Sequence, residues 1–167
     1  MEKGKGRPEG SESADREGTG CERRGMSDAY ELQRFVEAQE GVYEDAVKEL
    51  RAGRKRSHWM WFVFPQVRGL GRSPMAERYG IGSMEEAKAY ASDAVLGSRL
   101  RECTRAVLEV KGRSAGEIFG FPDDLKFRSC MTLFWRATGE EVFREALEKY
   151  FGGDEDGLTV AALGKRK

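Results

Sequence analysis

The sequence is poor in several residues that metal sites, disulfide frameworks and membrane spans depend on. It holds one histidine, His58, with three cysteines and four prolines in 167 residues. A lone histidine excludes a histidine-rich metal centre. The cysteines, Cys21, Cys103 and Cys130, are odd in number and show no CxxC spacing. Neither a disulfide framework nor a zinc site fits that pattern. No apolar run approaches the roughly 18 residues of a transmembrane helix, so no membrane association is expected. Net charge is missing as well, because 29 Lys plus Arg balance 29 Asp plus Glu. A neutral total argues against a protein that coats a long polyanion. The expectation is a cytoplasmic protein with no metal and no cofactor.

What is present divides into three stretches. Residues 1–26 carry six basic residues, six acidic residues and six glycines, with very few apolar side chains. Such a segment buries too little surface to offset its ordering entropy, so a disordered N-terminal extension is expected. It lacks the apolar stretch of a secretory signal. Met26 directly precedes a helix start and is a candidate initiation site. Residues 27–163 read as a helical domain, and residues 164–167 as a basic tail.

The periodicity of the domain is helical almost throughout. Asp28 caps a pattern that carries Leu32, Phe35 and Val36, pauses at Gly41, and ends at Gly53. Ser73-Pro74 opens a short helix. Ser83 with Glu86, and Ser114 with Glu117, have capping-box spacing. Leu96, Leu100, Cys103 and Val107 form the longest stripe. Pro122 starts another helix with Asp123 and Asp124 in its first turn. Val142 to Phe151 forms the last clear one, and Gly157–Leu163 is apolar enough to pack. Only Trp59–Val63 is ambiguous between helix and strand. The expected fold is all-α, a compact single-domain bundle of about seven helices.

Charge is segregated along this domain. From Arg51 to Ala76 there are six cations and no acid. Leu125 to Gly139 adds Lys126, Arg128 and Arg136, again with no acid. Residues 27–50 and 140–156 each carry seven acids against two bases. Gathered cations repel one another unless carboxylates interleave or an anion binds. Both outcomes stay open from sequence.

The candidate site residues lie in these basic stretches. Arg54, Lys55 and Arg72 supply charge, and Ser57 and Ser73 supply hydroxyls. The Ser73-Pro74 helix start and the glycines of Gly69-Leu70-Gly71 would complete a phosphate cradle. Trp59 and Trp61 are candidates for stacking a ring. A helical reading of that run puts Trp59, Phe62 and Val63 on one side, and His58, Trp61 and Pro65 on the other. Gln66 is placed to read a polar edge. Lys126, Ser129 and Thr132 would close the cleft opposite Arg54 and Lys55. His58 is the candidate acid or base, since its ordinary pKa lies near neutrality, with Asp124 as its partner. Each also has a plain structural role: core packing for the tryptophans, ion pairing for the cations, hydrogen bonding for His58.

The strings Leu32-x-Arg34-Phe35-Val36-x-Ala38-Gln39, Glu49-Leu50-x-x-Gly53-Arg54-Lys55-x-Ser57-His58-Trp59-Met60-Trp61-Phe62-x-Phe64-Pro65-Gln66 and Gly69-Leu70-Gly71-x-Ser73, with Tyr79, carry a resemblance. So do Leu96-Gly97-x-Arg99-Leu100 and Asp124-x-Lys126-x-x-Ser129-x-Met131-Thr132-Leu133-Phe134. Over residues 29–163 the chain resembles the bacterial domain-of-unknown-function 1810 family. That resemblance implies a small all-helical fold and no assigned activity. Some members carry the label calpastatin, which nothing in these residues supports. Phe127 stands where the resemblance leads one to expect a smaller aliphatic residue.

The function expected from these features is binding of a small anionic ligand, nucleotide or ADP-ribose-like, in a basic, aromatic-lined pocket. If the protein is an enzyme, the chemistry expected is metal-free hydrolysis or group transfer. The alternatives are a single-stranded nucleic-acid-binding module and a protein–protein adaptor.

Overall fold

The computed structural model describes residues 28–165. The extension at 1–26 with Cys21, the start at Met26 and the last two residues of the basic tail lie outside the described residues. The chain divides into two units at Arg34 and Phe35. In the described part of the first, the Asp28 carboxylate accepts from the Gln33 amide at 3.0 Å. The Arg34 guanidinium donates to the carbonyls of Tyr30 and Glu31 at 2.6 and 3.0 Å. Together they set the first turn of α1 (Gln33–Gln39), which continues into the second unit.

The second unit then holds α2 (Tyr43–Arg51), α3 (Met60–Val63), α4 (Pro74–Arg78), α5 (Met84–Ser92) and α6 (Leu96–Glu109). After these come α7 (Ala115–Phe119), α8 (Asp123–Thr138), α9 (Glu141–Phe151) and α10 (Gly157–Lys165). The described residues are thus all-helical, with one isolated parallel bridge between Val67 and Ile81. There are ten helices among them rather than about seven. Three features account for the difference. Gly41, at φ 75°, separates α1 from α2. The ambiguous run at 59–63 winds into the single turn α3. The apolar tail folds as α10.

α8 is the central element of this unit, packed against α5, α7, α9 and α10. Its sequence explains that place: Phe127, Cys130, Met131, Thr132, Leu133 and Phe134 are all fully buried. A helix apolar on most of its circumference needs neighbours on several sides. α6 is the second centre, touched by α2, α3, α5 and α9. Gly97 allows its close approach: a Cβ there would stand 2.1 Å from the Ala91 carbonyl oxygen. The C-terminal carbonyls of α6 are satisfied from α9. Lys149 Nζ donates to Leu108 and Val110, each at 2.6 Å, and the Tyr150 hydroxyl to Val107 at 2.5 Å.

The caps follow the expected signals, with one variation. Ser114 and Glu117 form a complete capping box. Ser83 accepts from the Glu86 amide, but the Glu86 carboxylate accepts instead from the Gly82 amide at 2.8 Å. Cys103 and Cys130 are buried free thiols. Desolvation, then the Glu102 charge, pushes the Cys103 thiol up to about 12, so it is protonated at neutral pH.

Phe127 is no incidental change of size. Its ring stacks on Phe119 at 4.7 Å and meets Phe64 edge-on at 5.0 Å. It also meets Tyr150 and Phe151 at 6.5 and 6.3 Å. It is the ring that joins α7, the segment after α3, and α9.

Candidate functional site: a cationic cleft beside an anchored loop

The loop between α2 and α3 carries most of the candidate residues, and one carboxylate organises it. Glu49, near the end of α2, accepts from the amides of Arg56 and Ser57 at 2.8 and 3.1 Å. It also accepts from the Ser57 hydroxyl at 2.6 Å and the Trp59 indole N–H at 2.9 Å. Burial pushes the Glu49 carboxyl upward. The Ser57 hydroxyl, the Arg56 amide, the Trp59 indole and the Ser57 amide outweigh it and hold the group below its usual value. Glu49 opens the string that carries the family resemblance but was not among the candidate site residues. Its signal was an acid one turn before Gly53, which is common in helices and so carried no weight.

Lys55 is held from the other side. Its amide donates to the Ile118 carbonyl at 2.7 Å. Its ammonium pairs with Asp123 at 2.9 Å, and its side chain is only 8% exposed. It also stands 5.1 Å over the Trp59 ring. Lys126 shares the same carboxylate at 3.5 Å and stands 5.6 Å over Trp61. The fold thus brings Lys55, Trp59, Trp61 and Lys126 together around Asp123. The two tryptophans differ: Trp59 is fully buried, whereas Trp61 is half-buried. Phe62 and Val63 are buried beside Trp59, and His58 is exposed. Pro65, expected on the side of His58, is buried.

The other candidates are spread out. Asp124 accepts from the Leu125 amide at 2.8 Å, and no hydrogen bond joins it to His58. Ser73 is used as the N-cap of α4, accepting from the Ala76 amide at 3.1 Å. The glycine at 71 serves the protein's own packing, since a Cβ there would lie 2.8 Å from that of Ala76. Arg72 is exposed. Gln66 lines, with Trp61 and Tyr79, a cavity of about 10 Å³, room for no more than one water. Ser129 donates to the Leu125 carbonyl at 3.1 Å, and Thr132 accepts from the Asp156 amide at 2.9 Å. Thr132 therefore faces the start of α10, with Ser129 also beside Asp156, while Lys126 turns to Asp123.

Arg54 stands apart from these contacts. It is exposed and, among the described residues, makes no ion pair. It lines a cleft of about 420 Å³ together with Lys55, Arg113 and the segment from Gly116 to Gly120. Arg113 lies close: its Cδ would be 3.2 Å from a Cβ on Gly53. Its guanidinium makes only a long 3.4 Å bond to the Glu117 carbonyl, and no ion pair among the described residues. The acidic lining residue, Glu117, is turned to the Ser114 amide at 2.8 Å. The cleft is therefore walled by three cations, two of which have no carboxylate partner. Arg113 was missed from sequence because it lies 59 positions beyond Arg54 in an ordinary interhelical turn. The signal available was that Val110 to Gly116 also lacks acid.

A protein family described as "Protein of unknown function (DUF1810)" matches residues 29–163. The chain belongs to this family. Its fold is also that of the crystal structure of the conserved hypothetical protein Rv1873 from Mycobacterium tuberculosis, solved at 1.38 Å. The two chains are 62% identical with a TM-score of 0.81, over 82% of this chain and 99% of the other. A search of curated proteins returns no match. Among the described residues no helix is long and apolar enough to cross a membrane, and no group of acidic, histidine or cysteine side chains is placed to hold a metal ion.

Proposed function

We propose that this DUF1810 protein binds a small phosphate-bearing anion in the cleft of Arg54, Lys55 and Arg113. The observation that carries the reading is two guanidinium groups on one cleft of about 420 Å³ that, among the described residues, have no carboxylate partner. That volume lies in the range of small-molecule sites. Guanidinium forks match phosphate oxygens bidentately, which is the strong form of the contact. Lys55 contributes less, because Asp123 already neutralises it. A long nucleic-acid track fits less well, since Arg51, Lys55, Lys126, Arg128 and Arg136 are each paired with a carboxylate. The reading is one of binding; His58 and Asp124, without a hydrogen bond between them, give no support for turnover.

The test is thermal unfolding with rising pyrophosphate at constant ionic strength. The melting temperature of the wild type rises with the logarithm of pyrophosphate concentration above Kd, by the mass-action stabilisation of about 2.7 kcal/mol expected at 100 times Kd. The Arg54→Ala/Arg113→Ala double variant loses that rise. A wild type indifferent to pyrophosphate would overturn the proposal.

A further inference from the structure

The residue that follows the cleft-lining Gly120 is an exposed aromatic. Phe121 is 82% exposed, and Leu125, at the start of α8, is 43% exposed. Two residues earlier the same side-chain type has the opposite fate. Phe119 is 6% exposed, in edge contact with Phe64 and stacked on Phe127. Between them lies Gly120 at φ 78°, a backbone conformation that side-chain-bearing residues rarely adopt. The chain therefore turns one ring into the core and leaves the next in water. An open aromatic ring thus stands one residue from the lining of a cationic cleft.

We infer that the anion held in the cleft is a nucleotide whose base stacks on Phe121. The inference rests on the cleft reading above. Arg54 and Arg113 hold the phosphates, and the base replaces water on the ring face. An alkyl phosphate would need an enclosed apolar channel for its chain, and an exposed ring suits a flat base better. Stacking uses the π-face that every base has, so it tolerates base identity and favours the larger purines.

The experiment measures ADP, CDP, octyl phosphate and pyrophosphate binding calorimetrically, without added divalent metal. The proteins are the wild type, Phe121→Ser, Phe121→Trp and Arg54→Ala/Arg113→Ala. The wild type should bind ADP about tenfold more tightly than pyrophosphate, the lower end of what base stacking contributes. CDP should fall between them. Phe121→Ser should bring ADP down to the pyrophosphate level and leave pyrophosphate unchanged, whereas Phe121→Trp keeps the ADP advantage. The side chain is exposed, so folding is not at stake in these variants. Equal binding of ADP and pyrophosphate by the wild type, or an ADP advantage that survives Phe121→Ser, overturns the inference and leaves the cleft standing. Octyl phosphate binding more tightly than ADP also overturns it. A wild type that binds no pyrophosphate, or an Arg54→Ala/Arg113→Ala variant that binds it as the wild type does, refutes the cleft reading, and this inference with it.

Discussion

Arg128 and Arg136 on α8 face carboxylates supplied by the turn before α10, while Arg54 and Arg113 line a cleft of about 420 Å³. Arg136 pairs bidentately with Glu155 at 2.9 and 2.6 Å. Arg128 reaches Asp156 at 3.5 Å and lies 5.9 Å over Phe151. Asp156 is further held by the amide and hydroxyl of Thr159 at 2.9 and 2.6 Å. Burial pushes the Asp156 carboxyl upward, but the Thr159 hydroxyl and amide, the Ser129 hydroxyl and the Arg128 charge together hold it below its usual value. Both regions come from acid-free stretches of sequence. What separates them is the neighbour that the fold brings in from elsewhere. In one region the chain supplies its own anion. In the other it leaves the place open.

The two regions lean on one ring. Phe127 touches Phe119, which precedes the cleft residue Gly120, and Phe151, which lies under Arg128. Phe127→Ala should therefore have the largest effect of any change considered, about 3–5 kcal/mol of stability for truncating a fully buried aromatic. Urea denaturation gives the magnitude. Hydrogen exchange decides the shared support: protection should fall in both α7 and α9. Loosening of α7 alone would mean that the regions rest on separate cores and that their difference is purely local.

Glu49 offers a second way to sharpen the contrast, because it fixes the loop beside the cleft without neutralising Arg54. Glu49→Ala strands the buried indole N–H of Trp59 and frees two backbone amides. The expected cost is about 2–3 kcal/mol, the scale for removing a charged acceptor from partly buried donors. Its pH dependence has a definite sign. The folded-state carboxyl is held below its ordinary value of 4.5, so its contribution is present above that pH and fades as pH falls through the depressed value. The stability gap between wild type and Glu49→Ala should accordingly narrow between pH 6 and pH 3. A gap that stays constant would show that the side chain acts by packing, not as an ionised acceptor.

Helix existence was largely legible in the sequence, and the reasons are local. Ser114-x-x-Glu117, Pro122 with Asp123 and Asp124, and the Gly152 stop each satisfy backbone groups within a few residues. The site was legible only in part, because its logic is non-local. Lys55 was marked by the absence of nearby acids, yet Asp123 arrives from 68 positions beyond it to neutralise it, while pairing locally with Lys126 three positions on. Arg113 reaches the cleft only because the α6–α7 turn packs beside Gly53. The strip of Lys126, Ser129 and Thr132 had the right helical spacing for one face. Its members nevertheless take different partners, since Asp156 and α10 cover the end bearing Ser129 and Thr132. Spacing along one helix fixes where side chains point, and it says nothing of what meets them.

The smallest predicted effect separates the two cation groups directly. Arg136→Ala removes a bidentate pair that is half open to water, its side chains being 45% and 23% exposed. Such a pair is worth at most about 1 kcal/mol. In about 1 M salt, where screening acts over roughly 3 Å, the loss should shrink further. Arg54→Ala removes a cation with no ion-pair partner among the described residues, so without added anion it should leave the unfolding midpoint unchanged. Added pyrophosphate should reverse that order. It stabilises wild type and Arg136→Ala alike and stabilises Arg54→Ala less. Equal responses of the two variants would mean that a pre-formed carboxylate partner does not distinguish the regions. The contrast would then lie in exposure alone.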